Sequence, residues 1–224
     1  MYRYTTIECV PRLCEPTTIS VDLSLLTSTL ESIQNHIGYT PLEWQQDRGK
    51  QSSINLTHPP IIPQKYISRW GELAASYRIS GNELEFIEQG IPTRTMRLMT
   101  DLVKSSYISQ ISEEIINYHR SVYNQPHAYM ARILLSTLGP GTAYGLHRDF
   151  HTNTRYHIAI TTNELCHMLV NINSIILCVH IPANGLVWHL TTDNMHSACN
   201  FSHADFYSPD EVTRTHLIFT ICCD

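Results

Sequence analysis

The sequence predicts an α+β fold in which a double-stranded β-helix, the jelly roll, fills the C-terminal half and helices from the N-terminal half buttress it. Two observations carry that prediction. From Tyr129 onward, strand-like runs rich in Ile, Val and Thr recur every ~8–12 residues, at about 130–138, 142–147, 155–162, 166–172, 175–181, 186–192, 195–200 and 214–222. Eight short strands at such spacing suit a double-sheet roll. Before Tyr129 the apolar residues recur instead at helical intervals. The chain has 224 residues, 42% of them hydrophobic and 16% charged, enough for a well-buried core. No repeat, low-complexity tract or linker divides it. One domain, 1–224, is therefore expected, with 1–128 supplying mainly helices and a long loop and 129–224 carrying the roll.

In order along the chain, Tyr2 to Val10 alternate as a short strand that stops before Pro11 and could join the edge of a sheet formed later. In Val21 to Ile37, Leu26, Leu30, Ile33 and Ile37 make an amphipathic stripe, and Gly38 is placed to end the helix. Residues 39–63 hold Pro41, Pro59, Pro60 and Pro63 with no periodicity. A connection that long is expected to be a lid or a passive surface excursion, with Trp44 as a packing anchor or a substrate contact. Pro63 suits the first turn of a second helix whose face is Ile67, Trp70, Leu73, Ala74 and Tyr77. A third helical stretch follows Pro92. A fourth spans about Gln110 to Tyr123, with Ile111, Ile115, Tyr118 and Val122 as its stripe and Glu113, Glu114, His119 and Arg120 placed to complement the helix dipole.

Composition narrows the function. A net charge of -5 argues against non-specific binding to nucleic acid or anionic membranes. No apolar run approaches the ~18 residues of a membrane span, and no basic-then-apolar signal opens the chain. A soluble, cytoplasmic protein is expected. The seven cysteines, at 9, 14, 166, 178, 199, 222 and 223, are odd in number and have no Cys-x-x-Cys spacing. Reduced thiols fit better than a disulfide scaffold or a structural zinc site.

The chemistry gathers in Leu138-Gly-Pro-Gly-Thr-Ala-Tyr-Gly-Leu-His-Arg-Asp149. Gly139-Pro140-Gly141 turns the chain after one strand, and His147 and Asp149 stand two apart, so on a following strand they share a face. One imidazole and one carboxylate are two-thirds of a 2-His-1-carboxylate facial triad, the set that leaves three positions open on a non-haem Fe(II). His196 is the candidate for the third ligand. His151 competes, because it alternates onto the same face if the strand continues. A triad with one carboxylate leaves a site charge near +1, suited to an anionic bidentate co-substrate.

Taken in order, the Pro-Gly turn before His147-x-Asp149, the Arg155-x-His157 strand ending in Thr162-Asn163, the distal His196 with Asn200 nearby, and Arg214 opening the last strand resemble the aspartyl/asparaginyl β-hydroxylase-like family of Fe(II)/2-oxoglutarate oxygenases. The resemblance covers roughly residues 129–224. It implies His147, Asp149 and His196 as iron ligands, Arg214 as the grip on the distal carboxylate of 2-oxoglutarate, Arg155 as a helper to that grip, and His157 as a pocket wall. It implies hydroxylation of an amino-acid side chain, free or in a peptide or protein, with 2-oxoglutarate converted to succinate and carbon dioxide. Residues 201–213 make the gap between distal His and Arg longer than the pattern, and could form an inserted substrate loop. Asp149 stands where the vertebrate protein-aspartyl hydroxylases have Gly, so the chain looks more like the microbial branch. A metal-binding or sensory jelly-roll module without turnover, or a cupin-like isomerase, is the competing expectation.

Overall fold

The computed structural model describes residues 3–8, 10–37, 51–58, 98–149, 154–202 and 213–223. The strands are β1 (Arg3–Ile7), β2 (Cys14–Ser20), β3 (Gln51–Asn55), β4 (Thr57–His58), β5 (Leu98–Met99), β6 (Tyr129–Leu138), β7 (Thr142–Ala143), β8 (Thr154–Thr161), β9 (Cys166–Ile172), β10 (Ile175–Val179), β11 (Leu186–Thr191), β12 (His196–Asn200) and β13 (Arg214–Cys222). The helices are α1 (Leu23–Ile37), α2 (Asp101–Lys104) and α3 (Tyr107–Tyr123).

The roll is one long hairpin folded over on itself. Asn173 and Ser174, both at positive φ, make the two-residue turn between β9 and β10. From that turn outward the pairs nest: β9 with β10, β8 with β11, β7 with β12, β6 with β13, all antiparallel. Closing the hairpin into two layers gives a six-stranded sheet, β2-β11-β8-β13-β6-β3, facing a five-stranded one, β1-β10-β9-β12-β7. This is a double-stranded β-helix. The nesting also sets the site, because it brings the chain just after β7 against the start of β12.

Alternation along the strands divides the core in two. On β13, Leu217, Phe219 and Ile221 pack with Tyr156 and Ile158 of β8 and with Leu26, Leu30 and Ile33 of α1 and Ile108, Ile111 and Ile115 of α3. The opposite face of the six-stranded sheet points into the roll, where Leu138, Ala159, Trp188 and Leu190 meet Met168, Val170 and Ala198 of the other sheet. The helices therefore cover the back of the larger sheet and leave its inner face to the site.

Each helix has a local cause. Asp22 Oδ1 accepts from Leu25 N at 3.0 Å and caps α1, whose buried positions 26, 30 and 33 follow the expected spacing. Ser106 caps α3 by accepting from Ile108 N, and Asn124 ends it in the left-handed conformation. The buried stripe of α3 is Ile108, Ile111, Ser112, Ile115 and His119. Val122, expected on that stripe, is 54% exposed, because the face turns toward His119. That imidazole sits between the Tyr156 hydroxyl at 2.8 Å and Gln125 Oε1 at 2.7 Å, so its polarity is satisfied within the core.

The first strand joins β10 as a parallel edge strand, as expected. Four strands, β2 to β5, had no sequence signal. Strand β2 contains Pro16, which an edge strand tolerates, and it lies at the edge of the larger sheet beside β11. Its seating is close: Val21 N donates to Gly185 O, and a Cβ on Gly185, at φ +83°, would stand 2.6 Å from Val21 O. The long loop expected over 39–63 is also corrected in part. Residues 51–55 are β3, paired with β6 at the other sheet edge, and β4 pairs with β5. Buried Asn55 Oδ1 accepts from Arg132 Nε at 2.8 Å, holding this stretch to the roll rather than leaving it as a lid. After Pro92 the described residues begin with β5, and the helical stretch expected there is the four-residue α2. The second helix, Gly38, Trp44, His151 and residues 203–212 lie outside the described residues.

Candidate metal centre

Strand β7 ends at Ala143, earlier than expected, so His147 and Asp149 do not ride a continuous strand. The reason is on β12: Ser197 Oγ donates to Tyr144 O at 2.6 Å, and the hydroxyl takes a carbonyl that a regular ladder would give to a backbone N–H. The chain returns to pairing at one point. His147 N donates to His196 O at 3.0 Å and His196 N donates to His147 O at 2.8 Å. That isolated bridge sets the two imidazoles side by side, with ring centroids 4.5 Å apart.

Each ring is held by its Nδ1. His147 Nδ1 lies 2.8 Å from Gly145 O and His196 Nδ1 lies 2.9 Å from Asn194 O. A carbonyl only accepts, so Nδ1 bears a proton in both rings and Nε2 is the nitrogen left to supply a lone pair. Asp149 Oδ1 is 3.7 Å from His147 Nε2, and Oδ2 is 4.0 Å from His196 Nε2. One ligand atom from each of the three residues lies within 4.8 Å of the other two. His196 is 2% exposed and its Nε2 has no hydrogen-bond partner. A buried lone pair facing a carboxylate and a second lone pair is costly as it stands and suits a cation. The donor set fits a divalent metal of the first transition row. His147, 44% exposed at its side chain, leaves one flank open to solvent.

Arg155 of β8 reaches this cluster. Its Nη2 donates to Asp149 Oδ2 at 2.8 Å, so the guanidinium expected to help grip an anion rests on the carboxylate of the cluster. From Arg155 the inner face of β8 leads inward to His157, two residues on. His157 is 2% exposed and both its ring nitrogens lack partners. Opposite it in register are Trp188 of β11, whose buried Nε1 also lacks a partner, and Ile218 of β13.

Arg214 lies deeper. It is 1% exposed, its Nη2 stands 3.0 Å from Met168 Sδ and 3.1 Å from His216 Nδ1, and among the described residues no carboxylate pairs with it. Burial lowers its pKa to about 10, which leaves it charged at neutral pH. A thioether and an imidazole are weak acceptors for a buried cation. Met168 and Val170 are inward neighbours on β9, and Val170 is the register partner of His196. Two residues, or ~7 Å of strand, thus separate the arginine's contact from the cluster's. Asn200, beyond His196 on β12, uses Nδ2 on Leu138 O and Oδ1 on Ser202 N, tying strand ends together.

Sequence reasoning singled out neither His216 nor Trp188 as a site residue. Their signal lay in alternation: His216 is two residues from Arg214, and Trp188 pairs with His157, so each shares an inner face with a residue already singled out.

The histidines of this interior are neutral in the fold. Burial first, then the nearby Arg214 charge, pushes His157 and His216 well below the usual range. Burial takes His189, on the helix-facing side of β11, down to about 4, and lowers His119. Above pH ~6.5 these rings are neutral in both folded and unfolded chains and contribute no pH dependence. Below it the unfolded chain takes up protons that the folded one refuses, so stability falls with falling pH until each folded pKa is reached. Each such ring steepens the fall by up to ~1.4 kcal/mol per pH unit. In metal-free buffer, the urea midpoint should drop clearly between pH 7 and pH 5; a flat profile would contradict the burial of these rings.

The strand order defines the fold as a double-stranded β-helix, and its rim carries a two-histidine, one-carboxylate cluster. No family model and no curated protein matches the chain. Solved structures that it resembles include an oxidoreductase of the 2OG-Fe(II) oxygenase family from Burkholderia pseudomallei, 12% identical over 48% of this chain and 50% of that one, with TM-score 0.37. A prolyl-4-hydroxylase from Pseudomonas putida is 10% identical over 92% of each chain, with TM-score 0.40. A cupin domain from Bordetella pertussis is 16% identical over 40% of this chain and 79% of that one, with TM-score 0.30. The stretch matched to the Burkholderia protein is about half of that protein's length. At these scores the fold rests on the strand order and the site on its own atoms.

Proposed function

We propose that this chain is an Fe(II)- and 2-oxoglutarate-dependent dioxygenase that hydroxylates an amino-acid side chain, free or in a polypeptide. The residue pattern favours the aspartyl/asparaginyl β-hydroxylase-like group among such enzymes. The observation that carries the reading is a pairing on one inner surface: lone pairs and a carboxylate at the open rim, and, one inward step away, a sealed guanidinium that no carboxylate among the described residues meets. A small dicarboxylate that reaches the rim with one end and Arg214 with the other would satisfy both.

His147 Nε2, His196 Nε2 and an oxygen of Asp149 would hold the iron, which when bound supplies the oxygen chemistry. Gly145 O and Asn194 O keep both rings in the tautomer that offers Nε2. Arg155 fixes the rotamer of Asp149. Arg214 binds and orients the distal carboxylate by a planar two-point grip. Trp188, Ile218 and Val170 exclude water from the space between. Cys166, Cys178 and Cys199 are buried thiols outside any disulfide, in keeping with a cytoplasmic setting, and no helix among the described residues is long and apolar enough to cross a membrane.

The test is succinate release in air from iron-loaded protein with 2-oxoglutarate, screened against free amino acids and peptides containing Asp, Asn or Pro. Succinate formation stimulated by one of these is the expected result. Metal binding with no 2-oxoglutarate binding and no succinate would favour the metal-binding module instead.

A further inference from the structure

The ring of His216 is fixed by a neighbour that cannot accept a hydrogen bond. Arg214 Nη2 is a donor only, so His216 Nδ1, 3.1 Å away, must be the acceptor. The imidazole then carries its proton on Nε2. That atom is buried and has no partner, and the residue as a whole is 1% exposed. Its ring lies 5.8 Å from that of His157 at a 73° angle, on the inner face that also holds Arg214. The sealed end of the roll thus gathers two N–H groups without acceptors among the described residues, one on His216 and one on His157 in either neutral tautomer, beside the Arg214 guanidinium, whose Nη2 has a thioether and an imidazole for partners. A surface of donors without acceptors selects an anion with lone pairs in more than one direction.

We infer that His216 is a second binding residue for the distal carboxylate of the co-substrate, donating from Nε2 while its Nδ1 holds Arg214 in place. This rests on the reading of the site as a 2-oxoglutarate site. The guanidinium fork would take both carboxylate oxygens, and a remaining lone pair on one of them would accept the imidazole N–H, so the carboxylate is recognised on two sides. Arg214 sets the charge of the ligand and His216 its direction.

The test is calorimetric titration of 2-oxoglutarate into Mn(II)-loaded protein without oxygen, so that affinity is read without turnover. His216→Phe, which keeps a ring of similar size but no N–H, should weaken binding roughly ten- to a hundred-fold, the worth of a hydrogen bond to a charged group. If that variant does not fold, His216→Met serves as the donor-free replacement. His216→Gln, which can accept from Arg214 and donate from its amide, should recover most of the loss. Mn(II) affinity should stay at the wild-type value in all of them, because His216 is not among the cluster residues. Wild-type affinity in a folded, donor-free variant overturns the inference alone. A wild-type protein that binds Mn(II) but no 2-oxoglutarate overturns the co-substrate reading and this inference with it.

Discussion

Arg214→Ala is expected to weaken 2-oxoglutarate binding by roughly thirty-fold or more. Truncating one member of a buried, hydrogen-bonded charge pair costs ~2–5 kcal/mol, and every ~1.4 kcal/mol is a factor of ten. The side chain is among the largest of the fully buried ones, and its contacts among the described residues are a thioether and an imidazole. It is therefore poised for an anion and loses little when one arrives. Arg214→Lys should recover only part of the affinity, since an ammonium keeps the charge without the planar fork. Arg214→Met, uncharged and of similar reach, controls for packing: it should fold at least as well as wild type and bind as poorly as alanine. The measurement is the same oxygen-free titration on Mn(II)-loaded protein, with Arg155→Ala alongside. Normal affinity in Arg214→Ala and loss in Arg155→Ala would move the grip to Arg155.

Loss of the metal is the second large effect. His196→Ala removes the one buried imidazole of the cluster and should cut Mn(II) affinity by at least ~100-fold, since removing even an outer partner of a ligand commonly costs ~10–100-fold. His147→Ala and Asp149→Ala should do likewise. Asp149→Ala carries an additional penalty, because it strips Arg155 of its 2.8 Å partner and leaves a largely buried guanidinium unpaired; its unfolding midpoint should fall while that of His147→Ala, at an exposed position, hardly moves. Free Mn(II), read by its paramagnetic resonance during titration, gives the affinities directly. Full retention in His196→Ala with loss in His151→Ala would assign the third place to His151.

The roll was legible because its strands are half-buried and β-branched: seven of the eight expected runs, from 130–138 to 214–222, coincide with strands to within a few residues. The eighth, 142–147, was cut short by a hydrogen bond from Ser197, a residue 53 positions away from Tyr144 that no local pattern announces. The edge strands escaped for a related reason. Cys14-Glu-Pro-Thr-Thr-Ile-Ser20 and Gln51-Ser-Ser-Ile-Asn55 are largely polar, the first is interrupted by Pro16, and what makes them strands is the open ladder of β11 and β6. At the site, the spacing of His147 and Asp149 marked a candidate pair, but their nearness to His196 depends on the nested hairpin. Arg155 illustrates the limit most clearly: its identity suggested an anion, and only the fold reveals that Asp149 is the carboxylate beside it. Resemblance could offer a role for each residue; it could not say which residues would neighbour one another.

The two strands nearest the beginning of the sequence have a consequence for assembly. Residues 3–7 pair with 175–179 in one sheet, and residues 14–20 pair with 186–190 in the other. They leave the ribosome long before either docking edge exists, and contacts of that sequence separation are slow to form. Until the nested hairpin has closed, β10 and β11 each present an unpaired edge at the same side of the roll, and such edges invite pairing with another chain. These two strands thus wait for edges that are made more than 150 residues later. Once placed, they join the two sheets like a clasp, and opening it would expose both edges together.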